Sequence, residues 1–214
     1  MPRDAFDCIV HIDVGEKRRR FEAHRGVISF YSGYFDRAFN GDFAEAASGE
    51  LTMKSEDPDT LQKSHYLLYT KRFGREEDEV RHTSWGTLCD LWLFGDAQDI
   101  PLLQNQAIDV MVRKIAEERN LPTFLLQYVY ENTMGTAQLP RLFNYMHAYT
   151  GSAETNLDDV ARFPEDAMVD ILRQIWKAED TDCWDRYQVR KLDVCIYHVR
   201  EEGVSCKVSP QKDG

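Results

Sequence analysis

Residues 21–69 decide the fold, and they read FEAHRGVISFYSGYFDRAFNGDFAEAASGELTMKSEDPDTLQKSHYLLY. Two runs of apolar residues in this stretch recur at helical spacing. Ser32 is a predicted N-cap between the two runs, and Gly41 is a predicted helix terminator after the second. The stretch therefore predicts two consecutive helices. Their inward-facing residues are Ala23, Val27, Ile28 and Phe30 in the first and Tyr34, Phe35, Ala38 and Phe39 in the second.

A strand pattern precedes these helices. From Asp7 to Val14 apolar and polar side chains alternate, and an alternation of this kind is typical of a half-buried strand. Gly15 and Glu16 then turn the chain into a returning strand that ends at Phe21. The predicted buried face of the first strand contains Cys8, Val10, Ile12 and Val14.

A further strand and a longer helix follow. Residues 51–53 predict a short strand. Asp57 before Pro58 predicts an N-cap followed by proline at the first helical position, where the missing N–H of proline does no harm. The helix that opens here is expected to turn Leu61, Leu68 and Tyr69 inward.

Together these elements resemble the BTB/POZ domain. That family has a strand ending in Phe, then A-H-[RK], a short apolar helix, S-x-[YF]-F, a second helix closed by Phe, and a further strand. The chain contains each piece in order at Phe21, 23–25, 32–35, Phe39 and 51–53. The resemblance covers residues 6–118. It implies an α/β (α+β) fold, a small sheet packed among helices, that works as a non-catalytic protein-protein interaction module.

Two apolar helix patterns follow the charged segment 74–83, which we interpret as a surface loop. The first pattern is apolar almost all round, which is typical of a buried helix. Asp99 and Pro101 open the second, and the pair resembles the helical hairpin that closes a BTB domain. The apolar residues are Leu88, Cys89, Leu91, Trp92, Leu93 and Phe94, then Ala107, Ile108, Met111, Val112 and Ile115.

The pattern of residues 121–203 predicts an all-helical C-terminal extension. Residues 204–214 are expected to form a flexible tail. Pro122, Pro140 and Pro164 each precede an apolar helix pattern, and proline is tolerated in a first helical turn. The predicted inward-facing residues are Phe124, Leu125, Tyr128 and Val129, then Leu142, Phe143 and Met146, then Met168, Ile171, Leu172 and Ile175.

The composition argues against several partners. The net charge is −11 over 214 residues, and the only basic run is 17–20. Phosphate backbones and anionic membranes are bound by clustered Lys and Arg, so we expect no nucleic acid and no membrane partner. Five scattered cysteines, with no secretory or long apolar segment, favour a reduced intracellular protein of the cytoplasm or nucleus.

Strong catalytic motifs are absent from the sequence, so we expect no enzyme, no cofactor and no small-molecule substrate. Cys183, Cys195, His198 and Cys206 are weak candidates for a zinc site. Their types suit tetrahedral zinc, but their spacings match no familiar zinc module. The ending C-I-Y-H at 195–198 and the order of elements resemble the single-BTB proteins of filamentous fungi.

The resemblance also implies a role for one charge pair. Asp7 and Arg25 occupy positions at which BTB domains carry an acidic and a basic residue that line a pocket at the dimer interface. The alternative is a buried or half-buried structural pair, which is costly to break on one side. Both interpretations stay open at the level of sequence.

A second motif concerns a different partner. Phe43-Ala44-Glu45 lies where BTB adaptors of cullin ubiquitin ligases carry a hydrophobic-x-Glu motif that docks on the cullin. An apolar anchor can enter a groove while a carboxylate fixes its register. The alternative is that Phe43 packs under its own loop as an ordinary hydrophobic contact.

Two classes of function follow. In the first, the chain is a substrate adaptor for a cullin-RING ubiquitin ligase, with Phe43 and Glu45 on the cullin side. In the second, it is a self-associating scaffold or transcription-associated BTB protein with no ligase link, which uses the surface around Asp7 and Arg25.

Overall fold

The computed structural model describes residues 5–73, 81–118, 121–150, 163–177 and 186–200. The strands are β1 (Ile9–Val14), β2 (Arg19–His24) and β3 (Glu50–Met53). The first helices are α1 (Arg25–Tyr31), α2 (Gly33–Asn40), α3 (Ala44–Ser48) and α4 (Pro58–Thr70). They are followed by α5 (Trp85–Ala97), α6 (Pro101–Glu118), α7 (Leu125–Asn132), α8 (Gln138–Thr150), α9 (Glu165–Lys177), α10 (Arg186–Arg190) and a 3-10 turn (Val194–Tyr197).

The three strands form one sheet in the order β2-β1-β3. β1 pairs antiparallel with β2, with Ile12 opposite Phe21, and parallel with β3, with Ile12 opposite Leu51. Val10, Ile12 and Val14 are buried, which confirms the face predicted from the alternation, except that Cys8 is exposed. Gly15 has φ 73°, a left-handed conformation that glycine adopts without a steric penalty, and it begins the turn into β2.

The predicted boundary between β2 and the first helix is wrong. β2 does not end at Phe21 but continues to His24, because Ala23 lies opposite Val10 in the antiparallel ladder. The N–H of Arg25, the first residue of α1, still donates to the carbonyl of Cys8 at 2.8 Å, so the pairing with the first strand extends to the start of the helix. Phe30, predicted to face inward, is 54% exposed.

The predicted helix caps are confirmed. The Ser32 side chain accepts from the N–H of Phe35 at 3.0 Å, and its hydroxyl donates to the Gln98 carbonyl at 2.6 Å. Asp57 accepts from the N–H of Thr60 at 2.8 Å and so caps α4. These bonds satisfy N–H groups that have no partner within the helix. The Ser32 hydroxyl also joins the start of α2 to the end of α5.

Helix α5 lies between two buried clusters. Leu91 and Phe94 pack with the sheet, α1, α2 and α4, whereas Leu88 and Trp92 pack with α6 and the helices that follow it. A helix with neighbours on two sides needs apolar residues nearly all round, as the sequence predicted. The fold is therefore α+β, with a small sheet among helices and further helices after it.

The C-terminal helices share the second cluster. Leu142, Phe143 and Met146 of α8 are buried as predicted, and so are Leu125 and Val129 of α7. Helix α9 contributes Ala167 and Ile171 to the same cluster. Four predicted inward residues are instead exposed: Phe124 at 72%, Leu172 at 49%, Ile175 at 40% and Tyr128 at 36%.

The segment after α10 is tied to α6 by paired polar contacts. The Asn105 side chain donates to the Val199 carbonyl at 3.0 Å and accepts from the Val199 N–H at 2.7 Å. His198 Nε2 lies 2.9 Å from Asp109 Oδ1, and Tyr197 is buried. The helices on either side of residue 120 thus share one core. The boundaries 6–118 and 121–203 stay predictions, and the predicted tail, 204–214, lies outside the described residues.

Among the described residues, no helix combines the length and the apolar content that a bilayer crossing needs.

His147 on α8 predicts a pH dependence of stability. Its Nε2 is buried without a hydrogen-bond partner among the described residues, and burial lowers its pKa from 6.5 to about 4. Because the folded chain binds this proton less tightly than the unfolded chain, the contribution is full above pH 6.5 and is lost as the pH falls towards 4. The difference corresponds to about 3 kcal/mol.

We therefore expect His147→Phe to flatten the fall in unfolding free energy between pH 6.5 and 4, with little change at pH 8. Urea unfolding across that range measures it. Identical pH profiles for the variant and the wild type would show that this ring is not the group responsible.

Candidate partner-binding surface

The predicted docking motif lies at the start of α3. Phe43 is the residue before the helix, in extended conformation (φ −87°, ψ 159°), and its side chain is 61% exposed. Glu45 follows in the first helical turn and is half-buried. Phe43 therefore does not pack under its own loop, and the alternative considered from the sequence is wrong.

The backbone holds this segment at both ends. The N–H of Gly41 donates to the Arg37 carbonyl at 3.0 Å, and a Cβ at position 41 would lie 2.4 Å from that oxygen. Gly49 (φ 68°) ends α3, and its carbonyl accepts from the N–H of His11 in β1 at 2.8 Å. A short loop held in this way presents its side chain with little conformational freedom left to lose on binding.

Tyr34 links the motif to the next part of the surface. Burial raises the pKa of Tyr34, and the negative charges of Glu45 and Glu56 raise it further. The ring of Tyr34 lies edge-on to Phe35, with centroids 5.5 Å apart. The sequence predicted Tyr34 only as an inward-facing residue of a helix. Its position between two acidic side chains could not be predicted, because it depends on how α2, α3 and α4 pack.

An acidic groove lies beyond Glu56, between the start of α4, α5 and α7. Its volume is about 540 Å³. Burial raises the pKa of Glu56, which accepts from the Gln98 side chain at 3.3 Å. The groove is lined by Ser55, Glu56, Asp57, Thr60, Asp90, Leu93, Phe94, Asp96, Ala97, Tyr128 and Asn132.

One hydrogen bond fixes the wall of this groove. The Tyr128 hydroxyl of α7 donates to Asp90 of α5 at 2.7 Å. Burial raises the pKa of Tyr128, and the bond to Asp90 and its charge raise it further. The groove was not predicted, since its walls come from segments far apart in the sequence.

The structure does not pair Asp7 with Arg25. Asp7 is exposed, and the Arg25 guanidinium donates through Nε to Asn40 at 2.8 Å. Asn40 in turn donates to Asp36 at 2.7 Å and Ser29 at 3.1 Å. The alternative of a buried structural pair is therefore wrong. A role for Asp7 and Arg25 at a dimer interface stays a prediction.

A second aromatic surface surrounds Tyr69. The Tyr69 hydroxyl accepts from the His24 N–H and lies 2.9 Å from His24 Nδ1, and the His65 ring lies edge-on at 4.8 Å. Burial lowers the pKa of His65, and the neighbouring His24 lowers it further. Tyr69, predicted to face inward, is 37% exposed, because its hydroxyl reaches back to the end of β2.

The zinc candidates are not brought together in the described part of the chain. Cys183 and Cys206 lie outside the described residues. His198 contacts Asp109, and the N–H of Cys195 donates to the side chain of Asp193 at 3.1 Å. Within the described ranges, no group of three or more His, Cys, Asp or Glu side chains is arranged to hold a metal ion.

Comparison with known proteins agrees with this fold. Residues 2–84 match the BTB/POZ domain family. A segment of 73 residues is 36% identical to Kelch-like protein 5 of Homo sapiens and covers 34% of this chain and 9% of that protein. The chain therefore contains a BTB/POZ domain, and such domains are protein-interaction modules. The chain matches only a small part of its relative, and the family match ends at residue 84.

Proposed function

We propose that this chain is a substrate adaptor for a cullin-RING ubiquitin ligase, in which Phe43 and Glu45 contact the cullin. The observation that carries the proposal is the 61% exposure of Phe43, two residues before a carboxylate, on a segment fixed at both ends. A large aromatic side chain on a monomer surface is a common anchor at protein interfaces.

The two side chains have different roles in this proposal. Phe43 supplies apolar area that leaves water when it enters a groove on the partner. Glu45 is half-buried, so its carboxylate has few orientations, and it fixes the register of the anchor by accepting hydrogen bonds. The chemistry is recognition alone, and no step of it needs a cofactor.

In this proposal the C-terminal helices bind the substrate protein. They share a core with α5 and α6, so a protein held by them would have a fixed position relative to Phe43. A rigid connection of this kind suits an adaptor, because the substrate must be presented to the ligase in a defined orientation.

The experiment is an affinity purification of the tagged 214-residue chain, followed by detection of cullins in the bound fraction. A known BTB adaptor, purified in parallel, is the positive control. We expect a cullin to be recovered with both proteins. Recovery with the known adaptor alone would end the ligase proposal and leave a self-associating scaffold as the better explanation.

A further inference from the structure

We infer that α9 is a self-association surface, on which a second copy of this chain docks its own α9 in antiparallel orientation. The inference does not depend on the cullin proposal. It concerns a helix of the C-terminal extension, whereas Phe43 and Glu45 lie in the BTB/POZ domain.

The first observation is an exposed apolar stripe. Ala167 and Ile171 turn one side of α9 into the core. The adjoining side is also apolar but lies in solvent. Val169, Leu172 and Trp176 follow one another at intervals of three and four residues, the spacing of a two-helix seam, and Ile175 lies beside them. Their exposed fractions are 45% for Val169, 49% for Leu172, 40% for Ile175 and 82% for Trp176.

The second observation is the order of charges beside this stripe. Asp166, Asp170, Arg173 and Lys177 recur at intervals of four, three and four residues, so they form a row along one side of the helix. The first two are acidic and the last two are basic. Asp170 is held in place, since it accepts from Arg173 at 3.0 Å and from the Tyr130 hydroxyl at 3.1 Å. Asp166 and Lys177 are exposed.

This order selects the occupant and its direction. When two copies of α9 pair antiparallel about a two-fold axis between residues 171 and 172, Asp166 of one copy lies opposite Lys177 of the other. The same operation places Asp170 opposite Arg173. In a parallel two-fold pair, the two rows would lie on opposite sides of the seam and would not face each other. A symmetric interface requires a self-complementary surface, and the charge row of α9 is self-complementary only in the antiparallel sense.

The expected dimer is weak. A helix of 13 residues is about 20 Å long, so a pair of them buries less than the area of a standard interface, about 1,600 Å². The net charge of −11 adds repulsion between copies at low ionic strength. We therefore expect a dimer that forms at protein concentrations on the order of 100 µM in physiological salt.

Sedimentation velocity over a concentration series of the 214-residue chain tests the apolar stripe. Trp176→Asp should weaken the dimer at least about ten-fold, because it places a charge in the seam. Trp176 is 82% exposed, so its replacement is compatible with an intact fold, and thermal melts check this. The matched control is Met134→Asp, since Met134 is 80% exposed but lies outside α9. That control should dimerise as the wild type does.

Charge reversal tests the antiparallel direction. Asp166→Lys alone and Lys177→Asp alone should each weaken the dimer about five-fold, because each sets like charges opposite one another at two symmetric places. The double variant restores opposite charges and should dimerise like the wild type. The inference is overturned by a wild type that stays monomeric on the order of 100 µM, by a Trp176→Asp dimer of unchanged affinity, or by a folded double variant as weak as the single ones.

Discussion

Replacing Phe43 and Glu45 together by alanine is expected to weaken cullin binding by roughly 30-fold or more, while the free energy of unfolding stays nearly unchanged. Phe43 is 61% exposed, so its removal deletes little buried area from the folded chain, and a surface change of this kind is typically worth under about 0.5 kcal/mol. The loss of an interface anchor is typically about 2 kcal/mol or more, which lowers affinity roughly 30-fold.

Interferometry with a purified cullin measures the binding affinity. Thermal melts of the same preparations measure the stability. Phe30→Ala is the control, because Phe30 is also a phenylalanine of this domain with a side chain 54% exposed. It should bind the cullin as the wild type does. If the double variant binds with unchanged affinity, Phe43 and Glu45 are not the contact. If it unfolds instead, Phe43 is part of the core.

The second large effect is expected in the C-terminal extension. Phe143 on α8 is fully buried in the cluster that α5 and α6 share with α7, α8 and α9. Phe143→Ala removes its transfer free energy and leaves a cavity, so we expect a loss of about 3 to 5 kcal/mol. Phe124→Ala is the matched control. Phe124 is 72% exposed, and its loss should change stability by under about 0.5 kcal/mol.

Chemical denaturation measures the loss of stability in Phe143→Ala. Following it by both fluorescence and circular dichroism shows whether the whole chain or only the extension is destabilised. Because the extension and the closing hairpin share one core, we expect fluorescence and circular dichroism to report one coincident transition, shifted as a whole in Phe143→Ala. Two separate transitions, with only one shifted by the substitution, would show that the extension folds as a unit of its own.

The parts of the fold that depend on local chemistry could be predicted from the sequence. The alternation around Ile12 gave the buried face of β1, and the side chains of Ser32 and Asp57 gave the starts of α2 and α4. Each of these signals lies within a few residues of the feature it specifies. The buried helix α5 was also predictable, since a helix that packs on two sides has no polar face.

The errors concern side chains whose surroundings come from distant segments. Ala23 suits the helical spacing, but the ladder with Val10 holds it in a strand. Phe30, Leu172 and Ile175 recur at the right interval, yet no neighbouring element covers them fully. The period of a pattern tells which side of an element is apolar. It does not tell whether another element packs there.

Only part of the candidate site could be predicted, because the sequence does not show which elements pack beside the motif. The sequence located the motif at Phe43 and Glu45 but left open whether Phe43 is exposed, because exposure depends on what packs above α3. The neighbourhood of Tyr34 and the groove beside Glu56 needed the three-dimensional arrangement of α2, α4, α5 and α7.

Amide hydrogen exchange of the chain, free and with a purified cullin, tests directly whether Phe43 and Glu45 contact the cullin. Residues 41–49 carry the exposed anchor on a segment whose ends are bonded to α2 and β1. We expect exchange in this segment to slow when the cullin is added, and we expect no such slowing in the Phe43→Ala, Glu45→Ala variant. Exchange in 41–49 that is unchanged by a bound cullin would contradict this expectation.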